Sequence, residues 1–270
     1  MKNRKIIFVT LMAVTAVIIG IICMSKVVEN SWLETESKDN NLEVVSSGYN
    51  IADIGQFRYL TAEEYLETLT DENAIMAYKS DLVPFDDNMI SYDEAATIGG
   101  TALEKVFPTI NFREMEFHIA PKKWKLPYTN EEKIFFHGAI SKENPEDHPI
   151  SPSRTLEYFV YFIDAYTGEL ISLDAFFAET NVKSDMNREE ALDYAQELAK
   201  LFGYNNYQKY YIEESDAGAG YKVFSVTFLI DDTKAVGFCF NTYEDRFIMG
   251  VSENGTQPYT LVAEKGIEVE

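Results

Sequence analysis

The chain has 270 residues, of which 46% are hydrophobic and 14% aromatic, and this is enough apolar material for a packed core. This composition excludes an intrinsically disordered chain, since such chains are poor in aromatic and apolar residues. The formal net charge of −22 argues against nucleic acid as a partner, because the acidic surface and the phosphate backbone repel each other.

The N-terminal segment predicts a membrane anchor. Residues 6–24, IIFVTLMAVTAVIIGIICM, carry no charge, and as a helix they span about 28 Å, close to the ~30 Å hydrocarbon core of a bilayer. Lys2, Arg4 and Lys5 precede the segment, so the positive-inside rule places the N-terminus in the cytoplasm. We therefore expect a single-pass protein of the cell membrane whose C-terminal domain is extracellular.

Two other interpretations of this segment stay open. A cleaved signal peptide shares the basic start, but its apolar run usually has about 7–15 residues, and the run at 6–24 is longer. A lipoprotein site at Cys23 would follow Gly or Ala, whereas Ile22 precedes it here. All three interpretations place the remaining chain on the outer side.

Composition divides the rest of the chain. Residues 25–55 are polar and acidic, with loop-forming pieces such as SKDNN and SSGYN, and they predict a tether. The predicted organisation is a cytoplasmic stub at 1–5, a transmembrane anchor at 6–24, a tether at 25–55, a helical lead-in at 56–89, a first repeat at 90–178 and a second repeat at 179–270.

Three helix starts are marked by capping boxes, in which the N-cap side chain and an acidic side chain three residues later each bond the other's backbone N–H. The pairs are Thr61 with Glu64, Ser91 with Glu94, and Asn187 with Glu190. The second of these helices contains Gly99 and Gly100, which cost roughly 1 kcal/mol each in a helix. These glycines predict the close approach of another backbone, that of a sheet.

Alternation of apolar and polar residues predicts antiparallel strands after each of the last two helices. FREMEFHIA and KIFFHGAI alternate in the first half, whose last two strands join at the turn Tyr166-Thr167-Gly168. Residues 162–171 match residues 239–248 without a gap, which indicates an internal duplication. We therefore predict an α+β fold in which an N-terminal transmembrane helix is followed by two tandem units, each with one helix on an antiparallel sheet.

The sequence VYFIDAYTGELISLD, residues 160–174, resembles the final hairpin of PepSY domains, in which an aliphatic run precedes Asp-Ala and a turn with Thr-Gly. The helix start at residues 91–95, SYDEA, is also similar to that family. The tandem arrangement over residues 90–252 resembles YcdB/YcdC-type proteins of Gram-positive bacteria. The second half departs from the pattern, because Asn241 stands in place of the Asp and no Gly follows in the turn.

The resemblance implies an extracytoplasmic module that binds or inhibits another protein, such as a peptidase or an envelope-signalling protein. Asp164 and Gly168 match the family hairpin, and we interpret both as turn-forming residues, because Asp bonds nearby backbone and Gly adopts a positive φ. We predict a protein-binding module without catalytic, cofactor-binding or metal-binding residues. A cell-envelope hydrolase with carboxylates gathered in space, or a passive envelope scaffold, are the alternatives.

A few side chains are candidates for chemistry. His118 and His137 lie on adjacent predicted strands and would face each other if those strands pair, but partly buried strand residues are the expected outcome. His148 lies in a Pro-rich loop and is expected in solvent. Cys239, in the strand-like VGFCF, is expected to be a small core residue, while Cys23 lies in the anchor.

Acidic and aromatic residues offer weaker signals. Adjacent acids such as Glu213 and Glu214 do not form an acid–base couple, because neighbours along a strand point to opposite faces. The chain holds 17 tyrosines, with a cluster at Tyr207, Tyr210 and Tyr211. Tyrosine is enriched at protein interfaces, although packing of the sheet faces is the stronger interpretation here.

Overall fold

A computed structural model of the protein describes residues 55–141, 158–176, 185–243 and 245–269. The predicted cytoplasmic stub, the anchor at 6–24 and nearly all of the tether at 25–55 lie outside these residues, as does His148. No helix within the described ranges is both long and apolar enough to cross a membrane. The described residues belong to one compact unit, Val44–Glu270.

The described residues contain α-helices, strands and a short 3₁₀ helix at Phe112–Glu114. The helices are α1 (Ala62–Thr68), α2 (Glu72–Lys79), α3 (Tyr92–Val106), α4 (Arg188–Leu201) and α5 (Gln257–Lys265). The strands are β1 (Arg58–Leu60), β2 (Glu116–Trp124), β3 (Lys133–Ser141), β4 (Tyr158–Asp164), β5 (Leu170–Phe176), β6 (Lys209–Gly218), β7 (Tyr221–Leu229), β8 (Lys234–Asn241), β9 (Arg246–Glu253) and β10 (Ile267–Glu268).

The three predicted capping boxes are confirmed. The side chains of Thr61, Ser91 and Asn187 accept hydrogen bonds from the backbone N–H three residues on, and the Glu side chain at that position bonds back. Helix α5 was not predicted. The hydroxyl of its N-cap, Thr256, donates to the Glu253 carbonyl at 2.7 Å and makes no capping bond to the helix, so Pro258 in the first turn is the remaining local sign of a helix start.

The strands form a single ten-stranded sheet, in the order β1-β2-β3-β4-β5-β9-β8-β7-β6-β10. Only β1 and β2 pair in parallel, and all other neighbours are antiparallel. The prediction of two tandem helix-on-sheet units is therefore wrong. Strand β5 pairs with β9, from Ser172 opposite Gly250 to Phe176 opposite Arg246, and this joins the two halves.

The joined edges explain why one sheet forms. Two separate units would leave β5 and β9 as edge strands with unpaired backbone N–H and C=O groups, whereas their pairing bonds these groups. Side chains also cross the join. The ring of Phe107, from the first half, meets that of Phe247, from the second, edge to face with centroids 6.0 Å apart, and one core contains both.

Helices α3 and α4 cover what we call the first face of the sheet. The ring of Tyr161 on β4 lies between Gly99 of α3 and Gly138 of β3, and a Cβ atom on either glycine would overlap that ring. A ring of Phe57 fills the same role against Gly100. The glycine pair thus marks a close approach, as predicted, but aromatic side chains approach it rather than another backbone.

The opposite surface, which we call the second face, carries α1 and α2 near β2 and carries α5 over β6–β9. The turn between β4 and β5 has the predicted structure. Asp164 accepts hydrogen bonds from the backbone N–H groups of Tyr166 and Thr167, and Gly168 has a φ of 72°. In the second half Asn241 bonds in the same way and Asp245 adopts the positive φ, at 48°.

Candidate functional site

A cavity of about 290 Å³ lies on the second face, between β6–β9, α5 and the loop that follows β2. Its floor is formed where Thr227, Gly237 and Gly250 stand side by side on β7, β8 and β9. Two neighbouring glycines contribute no side chain to this row, so the surface is hollow there. A Cβ atom on Gly237 would lie 3.5 Å from Thr227 Oγ1 and 3.9 Å from the carbonyl oxygens of Gly250 and Val226, so it fits at ordinary contact distances without a clash.

Aromatic and aliphatic side chains form the walls. The ring of Tyr128 lies against Gly250, where a Cβ atom would come within 2.7 Å of it. Tyr211 of β6 and Leu261 of α5 complete the wall, and Ile248 contributes from β9. Burial raises the pKa of the Tyr128 hydroxyl to about 12, with the nearby Cys239 and Asp174 adding to the effect.

Small polar side chains line the cavity beside the walls: Ser225, Thr227, Cys239 and Ser252. Ser252 is 1% exposed, and its hydroxyl has no hydrogen-bond partner among the residues that the structure describes. A buried hydroxyl without a partner costs free energy. Cys239 also lines the cavity and is half-buried, so its predicted place in the core is wrong.

The cavity reaches the surface at a polar rim. Glu213 of β6 and Gln257 of α5 both line it and are both exposed. Glu214, the neighbour of Glu213, points the other way and pairs with Lys222 at 3.1 Å, as expected for adjacent residues of a strand. The rim therefore offers one carboxylate and one amide above an interior of aromatic and aliphatic walls with small polar side chains at the floor.

On the second face, the strands from the first half of the chain carry a cluster of packed side chains that we call the lysine cage. It consists of Tyr78, His118, Lys122, Trp124 and His137. Lys122 is 6% exposed, and its ammonium lies 4.3 Å from the ring centroid of Tyr78 and 4.9 Å from that of Trp124. Both contacts are cation–π interactions, which offset part of the cost of burying the charge. On this face, the first half of the chain thus carries a packed cluster, whereas the second half of the chain carries the cavity.

The two histidines do face each other, with ring centroids 6.1 Å apart. Burial, with the charge of Lys122 adding to it, lowers the pKa of His118 to about 4. Burial also lowers the pKa of His137, whose Nδ1 has no hydrogen-bond partner in the described part of the chain. Both are partly or fully buried strand residues, as expected, and no group of three potential metal ligands occurs among the described residues.

The cavity is suited to binding. Among the residues that the structure describes, Glu213 is the one carboxylate that lines it and no histidine does. The hydroxyl of Ser252 and the thiol of Cys239 therefore have no imidazole of a described residue beside them in the cavity. Apolar walls with a few polar groups are the usual construction of a ligand pocket.

Sequence reasoning missed this cavity. The available signal was glycine in the interior of two strands, at Gly237 and Gly250, since glycine there often marks a site where another group approaches closely. The tyrosine cluster was a partial signal. Tyr211 lines the cavity, whereas Tyr207 packs in the core with its ring centroid 4.5 Å from that of Phe228.

Comparison of the chain with protein-family models, with curated proteins and with solved structures finds no match. The resemblance to PepSY domains therefore stays a prediction.

Proposed function

We propose that this protein is a membrane-anchored extracytoplasmic binding module that holds a protein partner by one apolar side chain inserted into the cavity. The observation that carries the proposal is the hollow at Gly237, which Tyr128 and Tyr211 line as walls and Thr227 and Ser252 line at the floor. Buried aromatic-walled pockets that receive one side chain are the usual anchors of protein interfaces.

The size of the cavity favours a side chain over a free small molecule. At about 290 Å³ it lies at the lower end of ligand pockets, which range over roughly 300–1,000 Å³. The exposed rim at Glu213 and Gln257 leaves room for a polypeptide above the inserted group. Tyrosine at the mouth adds apolar area and hydroxyl groups, a combination enriched at interfaces.

The hydrolase alternative has less support at this site. A carboxylate mechanism needs two carboxyl groups about 5–9 Å apart. Glu213 supplies one, and none of the other described residues that line the cavity carries a carboxylate. A passive scaffold would need no cavity, and it predicts that filling the hollow changes nothing.

In-cell photocrosslinking tests the proposal on the full-length chain. A photoreactive amino acid at Gln257 is expected to capture a protein, whereas the same amino acid at Glu197, exposed on α4 of the first face, is expected not to. Gly237→Val fills the hollow and should abolish the Gln257 adduct. Ala77→Val, on the exposed surface of α2, is the matched control and should retain it.

Two results would contradict the proposal. One is the absence of any adduct at Gln257 above the Glu197 background. The other is an adduct that persists unchanged in the Gly237→Val protein. The membrane placement is tested separately: external protease should digest the domain on intact cells, and deletion of residues 6–24 should keep it in the cytoplasm.

A further inference from the structure

Strand β6 has an open outer edge. Strand β10 pairs only with Lys209 and Tyr210, so from Tyr211 to Gly218 no described strand lies on the outer side of β6. We call this stretch the open edge. An exposed row of backbone N–H and C=O groups is a template on which another extended chain can pair.

Hydrogen bonds on β7 show which residues of the open edge point outward. Lys222 of β7 bonds Thr242, towards β8, with its carbonyl 2.9 Å from the Thr242 nitrogen. Even-numbered residues of β7 therefore bond β8 and odd-numbered ones bond β6. Because β6 and β7 pair odd with odd, such as Glu213 with Ser225, the backbone groups of even residues on β6 point away from the sheet.

The outward residues are Ile212, Glu214 and Asp216. The carbonyl of Ile212 accepts a hydrogen bond from the Arg188 guanidinium at 3.3 Å, which agrees with this assignment. The N–H groups of Glu214 and Asp216 face the open edge, with no backbone partner there among the described residues. An added strand would bond these groups.

Charge selects the occupant. Acidic side chains stand on both faces of the open edge, with Glu213 on the cavity side and Glu214 and Asp216 on the other. A second copy of this strand would set acid against acid, and like charges directly opposite are destabilising. The chain's own tether at 25–55 carries six acidic and two basic residues, so it is repelled as well.

We infer that the partner which enters the cavity also adds a basic, extended segment to the open edge as a further strand. This inference rests on the proposed function, and it specifies the partner's chemistry. Main-chain hydrogen bonds supply the affinity of such strand addition, and Lys or Arg side chains opposite Glu213 and Glu214 supply the selectivity. The added strand lies about 4.8 Å from β6, next to the Tyr211 side of the cavity.

The test uses the full-length protein in nonionic detergent and a fluorescein-labelled peptide of alternating Lys and Val, with fluorescence anisotropy as the readout. Glu214→Pro removes one outward N–H and leaves the pairing with β7 intact, since proline is tolerated on a free edge. It should weaken binding about tenfold without lowering the Tm. Glu214→Gln removes the charge but keeps the N–H, and should weaken binding less.

Peptide controls separate strand addition from charge attraction. The same peptide with an N-methyl group on every residue keeps its charge but cannot donate a backbone hydrogen bond along either edge, so it should bind at least about tenfold more weakly. A peptide of alternating Glu and Val should not bind. Equal affinity for the methylated peptide, or unchanged affinity of the Glu214→Pro protein, would overturn the inference.

Failure of the edge and failure of the cavity are distinguishable. Gly237→Val fills the cavity but leaves Glu214 and the open edge unchanged, so the Lys-Val peptide should bind that protein as it binds the wild type. Peptide binding without a crosslink at Gln257 supports strand addition at the open edge and refutes binding of a partner side chain in the cavity. A crosslink at Gln257 without strand-type peptide binding refutes strand addition at the open edge and leaves the proposed cavity binding in place.

Discussion

Replacement of Gly237 by valine should stabilise the protein. Gly237 has no positive φ, and a Cβ atom added there would meet no atom closer than Thr227 Oγ1, at 3.5 Å, which is an ordinary contact distance. Valine adds three carbon atoms, each worth about 0.8 kcal/mol when fully buried, but the site is half-exposed and the gain is reduced accordingly. Lower entropy of the unfolded chain adds about 0.4–1 kcal/mol. We expect a net gain of roughly 1–2 kcal/mol.

Gly250 provides a matched control, because it pairs directly with Gly237 and faces the same side of the sheet. A Cβ atom there would lie 2.7 Å from the Tyr128 ring, so Gly250→Val must displace that ring and should cost about 1–3 kcal/mol. Glycine-to-valine substitution at these two paired positions is thus expected to change the free energy of unfolding in opposite directions.

Urea and thermal unfolding of the full-length protein in detergent measure both effects. For a domain of this size, 1 kcal/mol corresponds to a Tm change of about 2–4 °C, so Gly237→Val should raise the Tm by roughly 2–8 °C. If Gly237→Val lowered the Tm as Gly250→Val does, the hollow would not be vacant, and both the cavity and the proposed function would have to be abandoned.

Three further outcomes are expected. The pKa of His118 is about 4 in the folded state and 6.5 in the unfolded chain, so the unfolded chain binds more protons between these two pH values. The free energy of unfolding should therefore be constant above pH 6.5 and fall by about 3 kcal/mol as the pH is lowered to 4. Chemical denaturation at several pH values measures this, and the free energy of unfolding of His118→Gln should depend less steeply on pH. Asn187→Ala removes the N-cap bonds of α4 and should lower the free energy of unfolding in urea by about 1 kcal/mol, whereas Asn187→Ser should restore most of it. Gly138→Ala forces a methyl group into the ring of Tyr161 and should cost about 1–3 kcal/mol by thermal unfolding, whereas the same change in a Tyr161→Leu protein should cost no further stability relative to Tyr161→Leu alone.

Local chemistry explains what the sequence could predict. Each capping box needs only residues within one helical turn, such as Ser91 and Glu94, so its geometry follows from the sequence alone. The hairpin residues Asp164 and Gly168 are equally local, since one bonds backbone two and three residues on and the other adopts a positive φ.

The single sheet could not be predicted in this way. Alternation of apolar residues marks a strand and its buried face, but it does not specify which strand lies beside it. The pairing of Ser172 with Gly250 joins positions far apart in sequence, and two closed units would show the same alternation. The strand predicted from FREMEFHIA also began too early, because Phe112–Glu114 forms a 3₁₀ turn before β2.

The cavity depends on several such long-range pairings at once. Its floor needs Gly237 beside Gly250, its wall needs the distant Tyr128, and its cover needs α5, whose start carries no side-chain cap. Glycine inside a strand indicates an unusual position, but not whether a ring, a backbone or empty space stands over it. Gly138 and Gly250 both lie under tyrosine rings, whereas Gly237 does not.

Comparison of the two halves suggests why binding belongs to the second. Residues 162–171 align with residues 239–248. If this alignment is extended back along the same strands, Val160 corresponds to Gly237, and Phe162 corresponds to Cys239. Val160 is 2% exposed, and the ring of Phe162 packs 5.1 Å from His137, so the first half fills the space that the second half leaves open. Gly237→Val gives the second half the side chain that already packs at the corresponding place in the first. The gain in stability should therefore come at the expense of binding, which is what a hollow kept for a ligand requires.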